Sequence, residues 1–275
     1  MTGGYAWFMG EEADGVDAII RSTRQNFKEG ANFIKLMVTG GGTPNTFPGH
    51  ASYSVPEISA AAETAHRIDR KVAVHARGIP GIKAAIKGGV DFIEHCCFEL
   101  PDGTLQYAPQ IAEEIAQKGI YVTPTIQLYR DRLRALIRKQ EEEPGKPGDQ
   151  QSIDLLTRVL AEKHLALKGF IDLGVQCIAG NDAGLPAVEF GSLSRELDSM
   201  VEGGMTPMQA IVAATKTPAE AMGLYSTIGS LEAGKQADII AVGSDPTSDI
   251  LALEKPSFVM KAGEVHLNSD LIKSA

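Results

Sequence analysis

The strongest constraint on the fold is a texture that recurs along residues 14–185: a helical pattern, closed by glycine in four cases, then a short apolar run, five times over. Residues 14–30 start acidic, carry Ile19, Ile20 and Phe27 on one face, and stop at Gly30. Phe33-Ile34-Lys35-Leu36-Met37-Val38 follows and runs into Gly40-Gly41-Gly42. A run apolar at successive positions predicts a parallel strand covered by helices on both faces. The next helix opens at Ser54, the expected N-cap, with Pro56 in its first turn and Glu57 three residues on, and reaches about residue 69. Strands over 71–76, 90–95, 120–125 and 175–180 then alternate with helices over 80–87, 107–118 and 152–172. Each repeat is long enough for a right-handed crossover, so the pattern predicts an α/β fold with a parallel sheet.

Two stretches depart from that rhythm. Residues 128–151 hold Arg130-Asp131-Arg132-Leu133-Arg134 and then a charged, Pro/Gly-rich half, 140–148, which predicts a strand-to-helix loop, either a lid or a solvated insertion. After residue 185, helices are predicted over 190–202 and 207–214, the second with Thr206 as N-cap. Turn-separated short strands follow over 229–242 and 257–265. The tail reads as part of a second, β-rich unit, with a boundary near 224–228 and domains of 1–225 and 226–275.

Composition narrows the function. The 275 residues carry a net charge of −9, which argues against a nucleic-acid partner, since such proteins present a basic face. With 43% hydrophobic and 22% charged residues the chain has the make-up of an ordinary folded protein. No stretch approaches the roughly 18 apolar residues of a membrane span, and the first residues show neither the basic nor the apolar region of a secretory signal. Three cysteines, Cys96, Cys97 and Cys177, make no disulfide framework, so a cytoplasmic location is expected.

In parallel α/β sheets the chemistry gathers at the C-terminal ends of strands. The second predicted strand ends at His75, the third at Glu94-His95, and the fifth at Asn181-Asp182. A lone histidine at such a place is most often a hydrogen-bonded core residue. Two at equivalent ends of successive strands, with an aspartate at a third, provide nitrogen and carboxylate ligands suited to zinc or a similar divalent ion. Lys35 stands inside an apolar run, where burial of an ammonium is costly and lowers its pKa. A neutral lysine adds carbon dioxide to give an anionic carbamate ligand; alternatively its tip reaches the sheet edge or pairs with Glu94 or Asp182. Gly229-Ser230-Leu231-Glu232-Ala233-Gly234-Lys235 has P-loop spacing, but Gln236 replaces the required Ser/Thr and a strand follows where a helix belongs. Thr39-Gly40-Gly41-Gly42-Thr43 completes no dinucleotide fingerprint and reads as a flexible turn beside the site. No G-x-S-x-G elbow is present, and Cys96-Cys97 read as buried small hydrophobes.

The ordered set Phe33-Ile34-Lys35-Leu36-Met37-Val38-Thr39-Gly40-Gly41, Val74-His75-Ala76, Ile93-Glu94-His95 and Gly180-Asn181-Asp182-Ala183-Gly184 resembles the metal-dependent amidohydrolase superfamily. The branch it resembles is the imidazolonepropionase-like and Xaa-Pro dipeptidase-like one, which includes carboxypeptidases acting on basic C-terminal residues. The tail agrees in Thr217-Pro218-Ala219-Glu220-Ala221-Met222-Gly223-Leu224, the 229–239 segment and Lys255-Pro256-Ser257-Phe258-Val259-Met260-Lys261-Ala262-Gly263. The resemblance implies a TIM-type (β/α) barrel whose chain returns at its end to a small β-sandwich. It implies that Lys35 is a carboxylated lysine bridging two metals, and that His75 and His95 ligate the second metal. Asp182 would bind the first and serve as general base towards the attacking water. Arg77, two residues past His75, or Tyr129, at the start of the loop after the fourth strand, would hold a substrate carboxylate; alternatively Arg77 pairs with a surface acid.

The same comparison carries a departure. Members have a His-x-His pair on the first barrel strand, whereas no histidine here precedes His50. The expectation is therefore a partial barrel, about five of eight strands, with part of the sandwich: a fragment, a truncated product or a chain that has lost function. It would take one or two divalent ions and hydrolyse a C–N bond, amide or peptide-like, in a small-molecule or dipeptide-like substrate. Alternatives are a deaminase or cyclic-amide hydrolase of the same superfamily, or a non-catalytic remnant serving as a binding module. Exposed strand edges would favour a homo-oligomer, and no nucleic-acid or membrane partner is expected.

Overall fold

A computed structural model describes residues 1–142, 149–185 and 188–268. Two compact units divide the chain: Met1–Pro124 with Gly169–Cys177, and Thr125–Lys168 with Ile178–Ala275.

The first unit strings together α1 (Val16–Lys28), β1 (Phe33–Met37), α2 (Val55–His66), β2 (Lys71–Gly78), α3 (Ile79–Gly88), β3 (Phe92–Glu99), α4 (Pro109–Lys118) and β4 (Tyr121–Thr123). The four strands form one parallel sheet in the order β1-β2-β3-β4. Helix α2 starts where expected: the Ser54 N–H donates to Glu57 Oε2 at 2.8 Å, satisfying a donor that the helix itself leaves open. The helices bury small and branched apolar residues (Ile58, Ala61 and Ala65 of α2, Ile82 and Ala85 of α3) under Val72, Val74 and Ile93 of the strands, which are fully buried.

Three expectations are corrected here. Strand β1 is not covered on both faces: Ile34 and Leu36 are buried, whereas Phe33 and Lys35 are exposed, the alternation of a strand with one open face. The desolvation argument for a neutral Lys35 therefore fails for this arrangement. The fifth strand shrinks to a single bridge, Val122 with Cys177. Beyond it the Ala179 N–H donates to Ala213 O at 2.8 Å, so the backbone of that segment is satisfied elsewhere than in a ladder. The third correction lies in the second unit.

That unit contains α5 (Gln127–Glu142), α6 (Asp149–Asp172, whose last residues belong to the first unit), α7 (Leu193–Glu202), α8 (Pro207–Ala214) and α9 (Lys216–Ala221). The first part of the predicted loop is helical: Leu133 of α5 packs on Ile153 and Leu156 of α6, with Tyr129, Leu136 and Leu160 beside them. Arginine, lysine, leucine and glutamate are good helix formers, and an i, i+4, i+7 apolar stripe suffices to dock such a helix. The Pro/Gly-rich remainder of that prediction, 143–148, lies outside the described residues. Arg130 is buried, and its Nη1 donates to Asp198 Oδ2 at 2.6 Å and its Nη2 to Arg195 O at 2.9 Å. Glu196 is fully buried and accepts from the N–H groups of Ile126 and Gln127, at 2.9 and 2.6 Å, at the start of α5. Burial pushes its carboxyl up to about 7, against those two hydrogen bonds and the charges of Lys163 and Arg130.

The C-terminal sheet is antiparallel, β5 (Ile239–Val242), β6 (Pro256–Lys261) and β7 (Glu264–Asn268), in that order. The short strands expected over 257–265 form a hairpin. Ala262 and Gly263, both at positive φ (50° and 83°), make the two-residue turn.

Candidate functional site

His75 is the most constrained side chain at the open ends of the first unit's strands. The register pairs Lys35 with Ala73 and Met37 with His75, so Lys35, Met37 and His75 share one face of the sheet. The His75 ring is 3% exposed and its Nε2 lies 3.0 Å from Gly40 O. A carbonyl only accepts, so Nε2 carries the proton and the lone pair sits on Nδ1. Burial pushes the imidazole down to about 3, against the Gly40 hydrogen bond and aided by the positive charges of Lys35 and Arg77. The ring is thus neutral throughout the ordinary pH range, as a metal ligand must be.

His95 reaches the same place by an irregular route. In the ladder Glu94 pairs with His75 and Ala76 with His95, so an unbroken strand would point the two histidines to opposite faces. His95 instead adopts φ 72° and Cys96 φ 42°, and the register shifts between Ala76 and Gly78. A bulge of this kind re-aims a side chain. The result is an edge-on pair of imidazoles with centroids 4.5 Å apart, and the Tyr5 ring lies 4.4 Å from the His75 ring on another side.

Loop 39–47 meets His75 through Gly40 O. A Cβ on Gly40 would meet Phe47 N at 2.2 Å, and one on Gly41 would meet the Tyr5 ring at 2.5 Å. These glycines therefore allow close approach rather than flexibility, a correction to the turn expected from sequence. Thr39 is buried, and its Oγ1 accepts from the Arg77 N–H at 3.1 Å.

Arg77 Nη2 lies 2.7 Å from Glu99 Oε2, with the carboxylate side chain 8% exposed. Glu99 was not singled out by sequence reasoning, because nothing in the chain pattern links the end of β3 to the end of β2. Tyr5 carried no sequence signal at all. Tyr129, expected to open a loop, is the third residue of α5: its ring packs on the α5–α6 core with Lys163 Nζ 4.9 Å from its centroid. That gives it a packing role. Asp182 belongs to the second unit, where it is exposed and held at φ 55°.

Two imidazoles side by side suit a borderline divalent ion. Among the described residues no group of three or more His, Cys, Asp or Glu gathers to complete such a site. Lys35, on the same face, is the residue able to add an oxygen ligand, and only as its carbamate. Thiol chemistry has no support: the three cysteines are buried, and burial pushes Cys177 up to about 12. A cavity of about 380 Å³ beside α5 and α7 is lined by Arg130, Arg134 and Arg195, each matched to an acid (Asp198, Glu202, Glu254), the pattern of an ion-pair network. Among the described residues no helix is long and apolar enough to cross a membrane.

The profile of the amidohydrolase family matches residues 2–266. An ochratoxinase from Aspergillus niger is 34% identical over 252 residues, covering 90% of this chain and 48% of that protein. The chain thus spans about half the length of the curated relatives it matches. Among solved structures, a Xaa-Pro dipeptidase with bound methionine in its active site superposes with a TM-score of 0.78 at 29% identity, over 97% of this chain and 66% of that one. The A. niger ochratoxinase structure gives 0.77 at 29% identity, over 94% and 56%. The parallel strands and helices of the first unit are accordingly part of a TIM-type (β/α) barrel, accompanied at the C-terminus by a separate antiparallel sheet.

Proposed function

The chain belongs to the amidohydrolase family, and from that premise we propose that it is a metal-dependent hydrolase of C–N bonds, amide or peptide-like, acting on small molecules in the cytoplasm. The observation that carries the reading is the pair of imidazoles, His75 and His95, brought to 4.5 Å by a left-handed bulge in β3. Backbone strain of that kind persists only where the surroundings enforce it, and it clusters at functional sites.

In this reading His75 and His95 would hold a divalent ion, zinc by ligand chemistry, and Lys35 would contribute as its carbamate. The carbamate would form when the ammonium of Lys35 releases its proton to solvent and the free amine attacks carbon dioxide, with loss of a second proton to solvent. It turns a cation that would repel a metal into an anionic ligand. A divalent ion supplies Lewis acidity towards water and the amide carbonyl. Asp182 takes the proton from the attacking water and returns it to the leaving nitrogen, a role that rests on its place in the family motif. Arg77, held in place by Glu99, pairs with a substrate carboxylate. Residues 1–225 form the barrel part and 226–275 part of a composite sandwich.

The test is turnover by the purified chain, supplied with zinc and bicarbonate, over a panel of dipeptides, N-acyl amino acids and aminopurines, with products followed by mass spectrometry. Release of an amino acid that is lost in His75→Ala and Asp182→Asn is expected. Release of ammonia alone would make the chain a deaminase. Equal turnover by His75→Ala would overturn the assignment.

A further inference from the structure

We propose that Tyr5 is a positioning residue of the candidate site, which keeps the His75 imidazole in one ring plane and one tautomer; the proposal rests on the reading of His75 as a metal ligand. The arrangement around the ring is built from three directions. Gly40 O accepts a hydrogen bond from Nε2–H at 3.0 Å, the His95 ring stands edge-on at 4.5 Å and 67°, and the Tyr5 ring lies tilted at 4.4 Å and 39°. An imidazole held by one hydrogen bond alone can flip about Cβ–Cγ, which puts Cε1 where Nε2 stood and gives up the hydrogen bond that fixes the tautomer. A ring covered on one side and blocked by an edge on another cannot.

The sequence device that admits Tyr5 is Gly41. A Cβ there would lie 2.5–2.7 Å from three atoms of the Tyr5 ring, well inside contact distance. The segment bearing Tyr5 is fastened to the same loop, because the Ala6 N–H donates to Thr43 Oγ1 at 3.0 Å. Ala6 itself sits at φ 55°, a conformation uncommon for a residue with a side chain. One loop therefore accepts the His75 hydrogen bond at Gly40, makes room for the tyrosine ring at Gly41 and holds its backbone at Thr43. Orientation by partners that do not touch the metal is how ligand rings keep a fixed tautomer.

The experiment is long-range proton–nitrogen correlation NMR on the metal-free, histidine-labelled chain, paired with zinc affinity by competition with a chelator. The wild type should show His75 as a single Nε2–H tautomer and bind zinc. Tyr5→Ala and Tyr5→Leu should populate both tautomers and lose about 10–100-fold in zinc affinity. Gly41→Ala should do the same by displacing the ring, and Tyr5→Ala/Gly41→Ala should be no worse than either single variant. A single tautomer and unchanged affinity in Tyr5→Leu would overturn the proposal. A wild type that shows the single tautomer but takes up no zinc would refute the hydrolase reading while leaving the positioning role intact, because the NMR signal needs no metal.

Discussion

The imidazoles of His75 and His95 lie 4.5 Å apart at 67°, although the strand register by itself assigns them to opposite faces of the sheet. The left-handed conformation of His95 accounts for the difference.

That conformation makes a stability prediction. A left-handed backbone costs a side-chain-bearing residue roughly 1 kcal/mol that glycine does not pay. His95→Gly should therefore be more stable than His95→Ala by about 1 kcal/mol in urea unfolding. Equal stabilities would mean that the bulge is not held in the folded chain.

Acid should expose the burial of His75. Folded, its ring protonates only near pH 3, whereas the unfolded imidazole does so near 6.5. Between those values the unfolded state binds the extra proton, so stability falls as pH drops through the window. At about 1.4 kcal/mol per pH unit, His75 should contribute a loss of about 2 kcal/mol between pH 7 and pH 5. In His75→Gln that part of the slope should vanish. An unaltered slope in the variant would place the ring in water.

Arg77→Ala leaves the carboxylate of Glu99 buried without the guanidinium 2.7 Å away, and should cost about 3 kcal/mol. Arg77→Ala/Glu99→Gln should recover most of it, as read from denaturation midpoints. If the double variant is as unstable as the single, the cost lies in packing rather than in the stranded charge.

The order of elements was legible because parallel strands and their helices leave an apolar period that local sequence records. Lys35, His75 and His95 could be read as strand-end residues for the same reason. The faces were not legible. Phe33 and Lys35 lie on an exposed face of β1 that the apolar run hides, and the turn of His95 into the site depends on a bulge shared with Cys96. Gly40 and Gly41 read as a flexible turn because sequence records that a side chain is missing, not what fills its place; here the Phe47 backbone and the Tyr5 ring do. The helix α5 was lost behind its charges, since an arginine such as Arg130 is read as solvated until Asp198 appears beside it.

Strand β1 pairs only with β2 among the described residues, and Phe33 on its open face is 44% exposed. Unpaired backbone groups beside an exposed aromatic ring favour edge association. The 275-residue chain should self-associate with rising concentration in sedimentation velocity, and Phe33→Lys should weaken that. A monomer at every concentration would contradict it.

The most direct test of the metal site is elemental analysis after loading with zinc in the presence of bicarbonate and removal of free ions by gel filtration. The arrangement of Lys35, His75 and His95 predicts about one retained ion per wild-type chain, and none in His75→Ala, in Lys35→Ala or in wild type loaded under carbon-dioxide-free conditions. Equal retention by wild type and His75→Ala, or no retention by wild type at all, would contradict the account.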